Sequence, residues 1–136
     1  MSKILIIGKE NAIRSQILEG YLKKSLGNLA QVYSCGVEPS GVDPQAIRAM
    51  AEDRVVIAGQ TSDELKDFED FSFDHIITFE EELADKGRQR FRNATLHLLS
   101  IPALDGFGGQ ERQEAMRHLR DTLRLKCSNF IDQHLS

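Results

Sequence analysis

Ile4-Leu5-Ile6-Ile7-Gly8-Lys9-Glu10-Asn11-Ala12-Ile13-Arg14-Ser15 is the stretch from which the fold of this chain is read. Lys3 to Ile7 is a short apolar run that fits a strand buried on both faces. A loop follows from Gly8. A helix is expected from about Ala12 to Leu26, with Ile13, Ile17, Leu18, Tyr21 and Leu22 at helical spacing and Gly27 as its stop. Strand, loop and helix in that order make a place for an anion. Free backbone N–H groups at a helix start point outward, and the helix dipole favours negative charge there. Arg14 adds a planar fork of donors suited to a tetrahedral oxyanion. The candidate oxyanion-binding segment is therefore Gly8, Lys9, Glu10, Asn11, Ala12, Ile13, Arg14 and Ser15. Asn11 tolerates left-handed backbone angles and can brace the loop through its side chain.

Working outward, Ala30 to Ser34 reads as a second strand. Asp43 as N-cap with Pro44 at the first helical position starts a helix reaching about Glu52. Val55 to Ala58 reads as an extended connector, with a true strand as the alternative. Ser62 can cap a brief helix through Phe68. Asp74 to Phe79 reads as a third strand and Glu80 to about Arg88 as a helix whose acidic first turn suits the dipole. Ala94 to Ile101 contains a fourth strand, Ala103 to Gly109 a loop, and Gln110 to about His134 a long amphipathic helix. Strands alternating with helices imply a parallel sheet covered on both faces. The loop after the first strand then lies at the carboxyl edge, where such sheets bind ligands.

The loop resembles the signature of the low-molecular-weight protein tyrosine phosphatases and the related thioredoxin-coupled arsenate reductases. That signature is Cys, five residues, Arg, then Ser or Thr, usually with Asn fourth. Asn11, Arg14 and Ser15 fall in register with it. Val32-Tyr33-Ser34-Cys35-Gly36, Asp43-Pro44-Gln45-Ala46 with Met50, Gly59 to Leu65, and Asp74-His75-Ile76-Ile77-Thr78 resemble further segments of the family in the same order. The resemblance covers nearly the whole chain. It implies one domain over residues 1–136 and a three-layer α/β fold of the phosphotyrosine protein phosphatase I type. The sheet would have four parallel strands in the order 2-1-3-4, with helices on both faces.

Two departures bear on activity. Gly8 stands where the family places its nucleophilic cysteine, and glycine offers no thiolate. Ala103 and Leu104 stand over the family's Asp-Pro pair, whose Asp protonates the leaving group; Asp105 is a remnant acid displaced by two positions. Arsenate reductases of this type use further cysteines near the end of the third strand, where this chain has Phe79 and Glu80. The expected role is that of a catalytically degenerate member. It would bind a phosphate, sulfate or arsenate-like anion, or a phosphorylated protein, at the loop after the first strand. A rival reading is an active phosphatase that uses water directly, with Asp105 or Glu10 as base. A third is an interaction module whose loop holds nothing.

Composition narrows the field. A net charge of −4 over 136 residues gives no general drive toward nucleic acid or an anionic membrane. No apolar run approaches a membrane span, and the N-terminus lacks the pattern of a signal peptide. The two cysteines, Cys35 and Cys127, have no motif spacing, so reduced thiols in a cytoplasmic protein are expected. Cys35 reads as a buried small residue and Cys127 as part of the apolar stripe of the last helix. His75, His97, His118 and His134 have no metal spacing, and no cofactor or metal is expected. Arg88, Arg90 and Arg92 read as a solvated face.

Overall fold

Ser2–Gly8 forms the first strand, β1, and its Ile4, Leu5, Ile6 and Ile7 are wholly withdrawn from solvent in the computed structural model, which describes residues 1–135. Each such side chain contributes about 1.5–3 kcal/mol on burial, so this run is the apolar axis of the molecule. The other strands are β2 (Ala30–Gly36), β3 (His75–Thr78) and β4 (Thr95–Leu98). They form one four-stranded sheet of order β2-β1-β3-β4, parallel throughout. Helices α1 (Arg14–Leu26), α2 (Pro44–Glu52) and α3 (Glu81–Arg90) supply the crossovers, and α4 (Gly109–His134) follows the last strand.

Side-chain alternation along β1 sorts the layers. Ile4 and Ile6 point into the larger core, with Ile17, Leu18 and Leu22 of α1, Met50 of α2 and Met116, Leu119 and Leu123 of α4. Leu5 and Ile7 point the other way, onto Cys35, Leu65, Phe73, Leu83 and Phe91. The three-layer α/β architecture and the strand order are those that the resemblance implies.

Three local expectations need correction or a choice. Helix α1 begins at Arg14 rather than Ala12, because Asn11 takes a left-handed backbone (φ 50°) and Ile13 lies outside the helical region. The loop therefore runs two residues further before the helix starts. Val55 to Ala58 is an extended connector and pairs with no strand, its Val55 and Ile57 buried and Val56 facing out. Ser62 caps nothing: the short 3-10 turn Leu65–Phe68 has Glu64 at its N-cap, and the Ser62 hydroxyl is used elsewhere. Asp43 does cap α2, accepting from the Gln45 amide at 2.8 Å, with Pro44 behind it.

Beside the amino end of β3, three imidazoles that the sequence scatters come together. His75 Nδ1 lies 3.0 Å from His97 Nε2. The His134 ring, from the last turn of α4, sits 4.4 Å from that of His97, and all three surround Phe130. Burial, and then the two neighbouring imidazoles, push the His97 ring down to about 4. Among the described residues no helix is long and apolar enough to cross a membrane.

Candidate functional site

The loop between β1 and α1 is organised by its carbonyl groups. Each one from Gly8 to Ile13 accepts a hydrogen bond from the surrounding structure. Val37 N donates to Gly8 O at 3.3 Å, Glu38 N to Lys9 O at 2.8 Å, Ser40 N to Glu10 O at 3.0 Å and Asp43 N to Ala12 O at 3.0 Å. Gln16 Nε2 and Ser62 Oγ both donate to Asn11 O, at 2.9 and 3.0 Å, and Ile17 N donates to Ile13 O at 2.9 Å. The amides behave oppositely. Among the described residues, none of the main-chain N–H groups from Lys9 to Ser15 donates a hydrogen bond. Because the peptide is planar and trans, a carbonyl drawn outward turns the amide of the same peptide inward. Successive inward amides are an anion-binding concavity made of main chain.

The segment that follows β2 is the strap that turns the loop this way, and it passes very close. A Cβ on Gly36 would lie 2.9 Å from Lys9 O and 3.0 Å from Asn11 N. Glycine is required there for the approach of one backbone to another. The far end of the strap is fixed by α4, whose Arg112 Nη2 meets Asp43 Oδ2 at 2.7 Å.

The side chains of the loop divide into braces and rim. Ser15 Oγ donates to Asn11 Oδ1 at 2.7 Å, and both residues are buried. Asn11 Nδ2 is buried with no partner, an uncommitted donor beside the free amides. Glu10 turns outward, its carboxylate accepting from Ser40 Oγ at 3.1 Å. Arg14 lies over the Phe79 ring, 5.2 Å from its centroid, and is doubly engaged: Nη1 donates to Ile101 O at 2.6 Å and Nη2 to Glu80 Oε1 at 2.6 Å.

A cavity of about 540 Å³ opens over the loop. The loop, Phe79 and Glu80, and the segment from Ser100 to Asp105 line it. All eight candidate residues and Asp105 are thus brought to one place, with Asp105 exposed at the rim. Neither cysteine lines the cavity. Cys35 is buried on the α3 side of the sheet, where burial pushes its thiol far up; Cys127 is buried beside α1 and raised to about 11. Sequence reasoning missed Gln16, Gly36, Ser62 and Arg112 as organisers of the loop. It noted Glu80 in a cysteine's place and in the acidic first turn of the helix, not as the partner of Arg14. No signal in the sequence announces that Glu80, at the N-cap of α3, leaves its own helix uncapped.

Comparison with known proteins agrees with this geometry. The sequence profile of the low molecular weight phosphotyrosine protein phosphatases matches residues 3–133. The chain is 40% identical over 78 residues to a glutaredoxin arsenate reductase of Synechocystis sp., covering 57% of this chain and 60% of the relative. It is 42% identical over 76 residues to an arsenate reductase of Bacillus licheniformis, covering 56% and 55%. These matched stretches span only somewhat more than half the length of the curated relatives. A solved arsenate reductase in the phosphate binding state superposes with a TM-score of 0.81 at 28% identity, covering 98% of each chain. With a profile that spans almost all of its length, the chain belongs to the low molecular weight phosphotyrosine protein phosphatase family.

Proposed function

We propose that the protein is a catalytically degenerate member of its family that binds a phosphate-type oxyanion, free or carried on a phosphorylated protein. The site is the loop from Gly8 to Ser15. One observation carries this reading: every carbonyl of the loop is held from outside while the amides from Lys9 to Ser15 hold nothing. The uncommitted Nδ2 of Asn11 and the retained Arg14 support it. So does the similarity to an arsenate reductase whose structure is described as phosphate-binding. Degeneracy is argued from Gly8, which supplies no nucleophile, and from Ala103, which supplies no acid. Within this reading residues 1–136 act as one domain in the cytoplasm, without metal, cofactor, nucleic acid or membrane.

Calorimetric titration with inorganic phosphate and with arsenate tests the binding half. Saturable binding is expected, weakened more by Arg14→Ala than by Lys9→Ala, since Arg14 can hold two oxygens and Lys9 is a mobile point charge. Loss of such a charged partner costs about 1.5–3 kcal/mol. Equal affinities for wild type and Arg14→Ala would remove Arg14 from the site. The catalytic half is tested with an aryl phosphate. No turnover above buffer is expected; hydrolysis that survives repurification and is abolished by Asp105→Ala would instead establish the water-based phosphatase.

A further inference from the structure

We propose that Glu80 is a resident ligand of Arg14: a carboxylate built into the chain that holds the guanidinium an oxyanion would use, and so sets how much negative charge the site accepts. The inference rests on the anion-binding reading above and deepens it.

The placement of Glu80 is the first argument. It stands at the N-cap of α3, where a carboxylate ordinarily turns back to accept from the next amides of its own helix. It makes no such bond. The side chain reaches Arg14 Nη2 instead, 2.6 Å away and 66 residues distant in sequence. The pair is only partly open to solvent, with 11% of the Arg14 side chain and 36% of that of Glu80 exposed. Screening is therefore weaker than for an ion pair on the open surface.

Charge around the cavity is the second argument. Five charged residues line it: Lys9 and Arg14 are cationic, while Glu10, Glu80 and Asp105 are anionic, with the Glu10 carboxylate turned outward to Ser40. Glu80 takes up the charge of Arg14, so Lys9, the free amides and Asn11 Nδ2 remain as the uncompensated donors, with the Asp105 carboxylate at the rim. An arriving oxyanion has two routes to Arg14. It can displace Glu80, leaving a carboxylate unpaired beside it, or it can share the guanidinium with Glu80 at close range. Both cost more as the charge of the ligand grows, because the repulsion scales with the product of the charges. Glu80 therefore penalises doubly charged oxyanions more than singly charged ones.

That scaling gives the test. Sulfate, a dianion, and methanesulfonate, a monoanion of the same tetrahedral sulfonyl-oxygen chemistry, are titrated calorimetrically into wild type, Glu80→Gln and Glu82→Gln at neutral pH. Glu80→Gln keeps an acceptor for Arg14 and removes only the charge. Its affinity for sulfate should rise about tenfold or more. The gain for methanesulfonate should be roughly the square root of that factor, since the ligand charge is halved. Glu82→Gln makes the same change in net charge on the same helix at an exposed position that does not line the cavity, and should change both by less than about twofold. Thermal unfolding of each variant checks that the fold is intact, and Glu80→Ala repeats the measurement should the glutamine variant be perturbed. Binding that is intact but equal in wild type and both Glu80 variants overturns the role of Glu80 alone. Equal gains for the two anions overturn charge selection. Failure of every variant to bind either anion overturns the anion site itself, and this inference with it.

Discussion

At the scale of the residue, Gly8 is the position on which the proposed loss of catalysis rests. Gly8 is not among the glycines with left-handed backbone, so its angles are open to any residue. A Cβ placed there would lie 3.1 Å from Ser15 Oγ and 3.7 Å from Asn11 N. The first contact is tight, and a shift of the Ser15 side chain by a few tenths of an ångström relieves it. Gly8→Cys should therefore fold. Its thiol would sit beside the Ser15 hydroxyl, a row of free amides and the start of α1, each of which favours the thiolate. Its pKa should fall below the value of about 8.5 for a free cysteine. Alkylation rate against pH, with and without phosphate, measures this; an unshifted pKa without anion protection would mean that the loop stabilises no negative charge. The native cysteines do not confuse the assay, since burial raises both. Turnover should remain poor in this variant unless Ala103→Asp restores an acid.

At the scale of the element, the strap from Gly36 to Asp43 does for the loop what a ladder partner does for a strand. Gly36→Ala tests it. The added methyl would meet Lys9 O, Asn11 Cβ and Asn11 N at 2.9–3.0 Å, all of them backbone or its first carbon, so the loop must move. A loss of about 1–3 kcal/mol is expected in denaturant unfolding, together with loss of anion binding. Wild-type affinity in this variant would show that the close approach is incidental. The histidine cluster belongs to this scale as well, since it joins the last turn of α4 to β3 and β4. The folded state holds His97 neutral down to about 4, against about 6.5 in an unfolded chain. The folded pKa is the lower one, so the unfolded state binds more protons as the medium acidifies. The contribution is fully present above pH 6.5 and is lost as pH falls from there to about 4. His97→Phe should flatten the melting temperature against pH in that window; an unchanged slope would exclude His97 as its source. Elements were also the most legible part of the sequence. Uninterrupted Ile4-Leu5-Ile6-Ile7 could only be a central strand, and Asp43-Pro44 only a helix start, because both signals are local. The start of α1 was misjudged because the amphipathic spacing of Ile13 and Ile17 carries no information about the left-handed turn at Asn11.

At the scale of the whole molecule, the loop is tied to parts of the chain remote in sequence. Arg112 in α4 grips Asp43, whose amide holds the carbonyl of Ala12. Arg112→Ala leaves Asp43 half-buried without its cation. We expect a loss of about 1–3 kcal/mol in stability. Anion affinity should fall too, although Arg112 does not line the cavity; affinity unchanged in the face of lower stability would uncouple α4 from the loop. Such ties explain what the sequence withheld. The loop residues were readable because a short motif carries them, whereas Glu80 on Arg14, Ser62 on Asn11 and Arg112 on Asp43 are pairings that only the crossovers create. No periodicity or local spacing encodes them. The arrangement of the loop has a last consequence, for solvent exchange. Amide protons of β1 and of α1 beyond its first residues are committed to acceptors in the most deeply packed region of the protein. The seven amides from Lys9 to Ser15, across the loop and the first residues of α1, are committed to none. Deuterium should therefore enter this stretch rapidly, a window of fast exchange framed by the slowest segments of the chain. It should close when an anion is added, with a larger drop in rate than in any other segment.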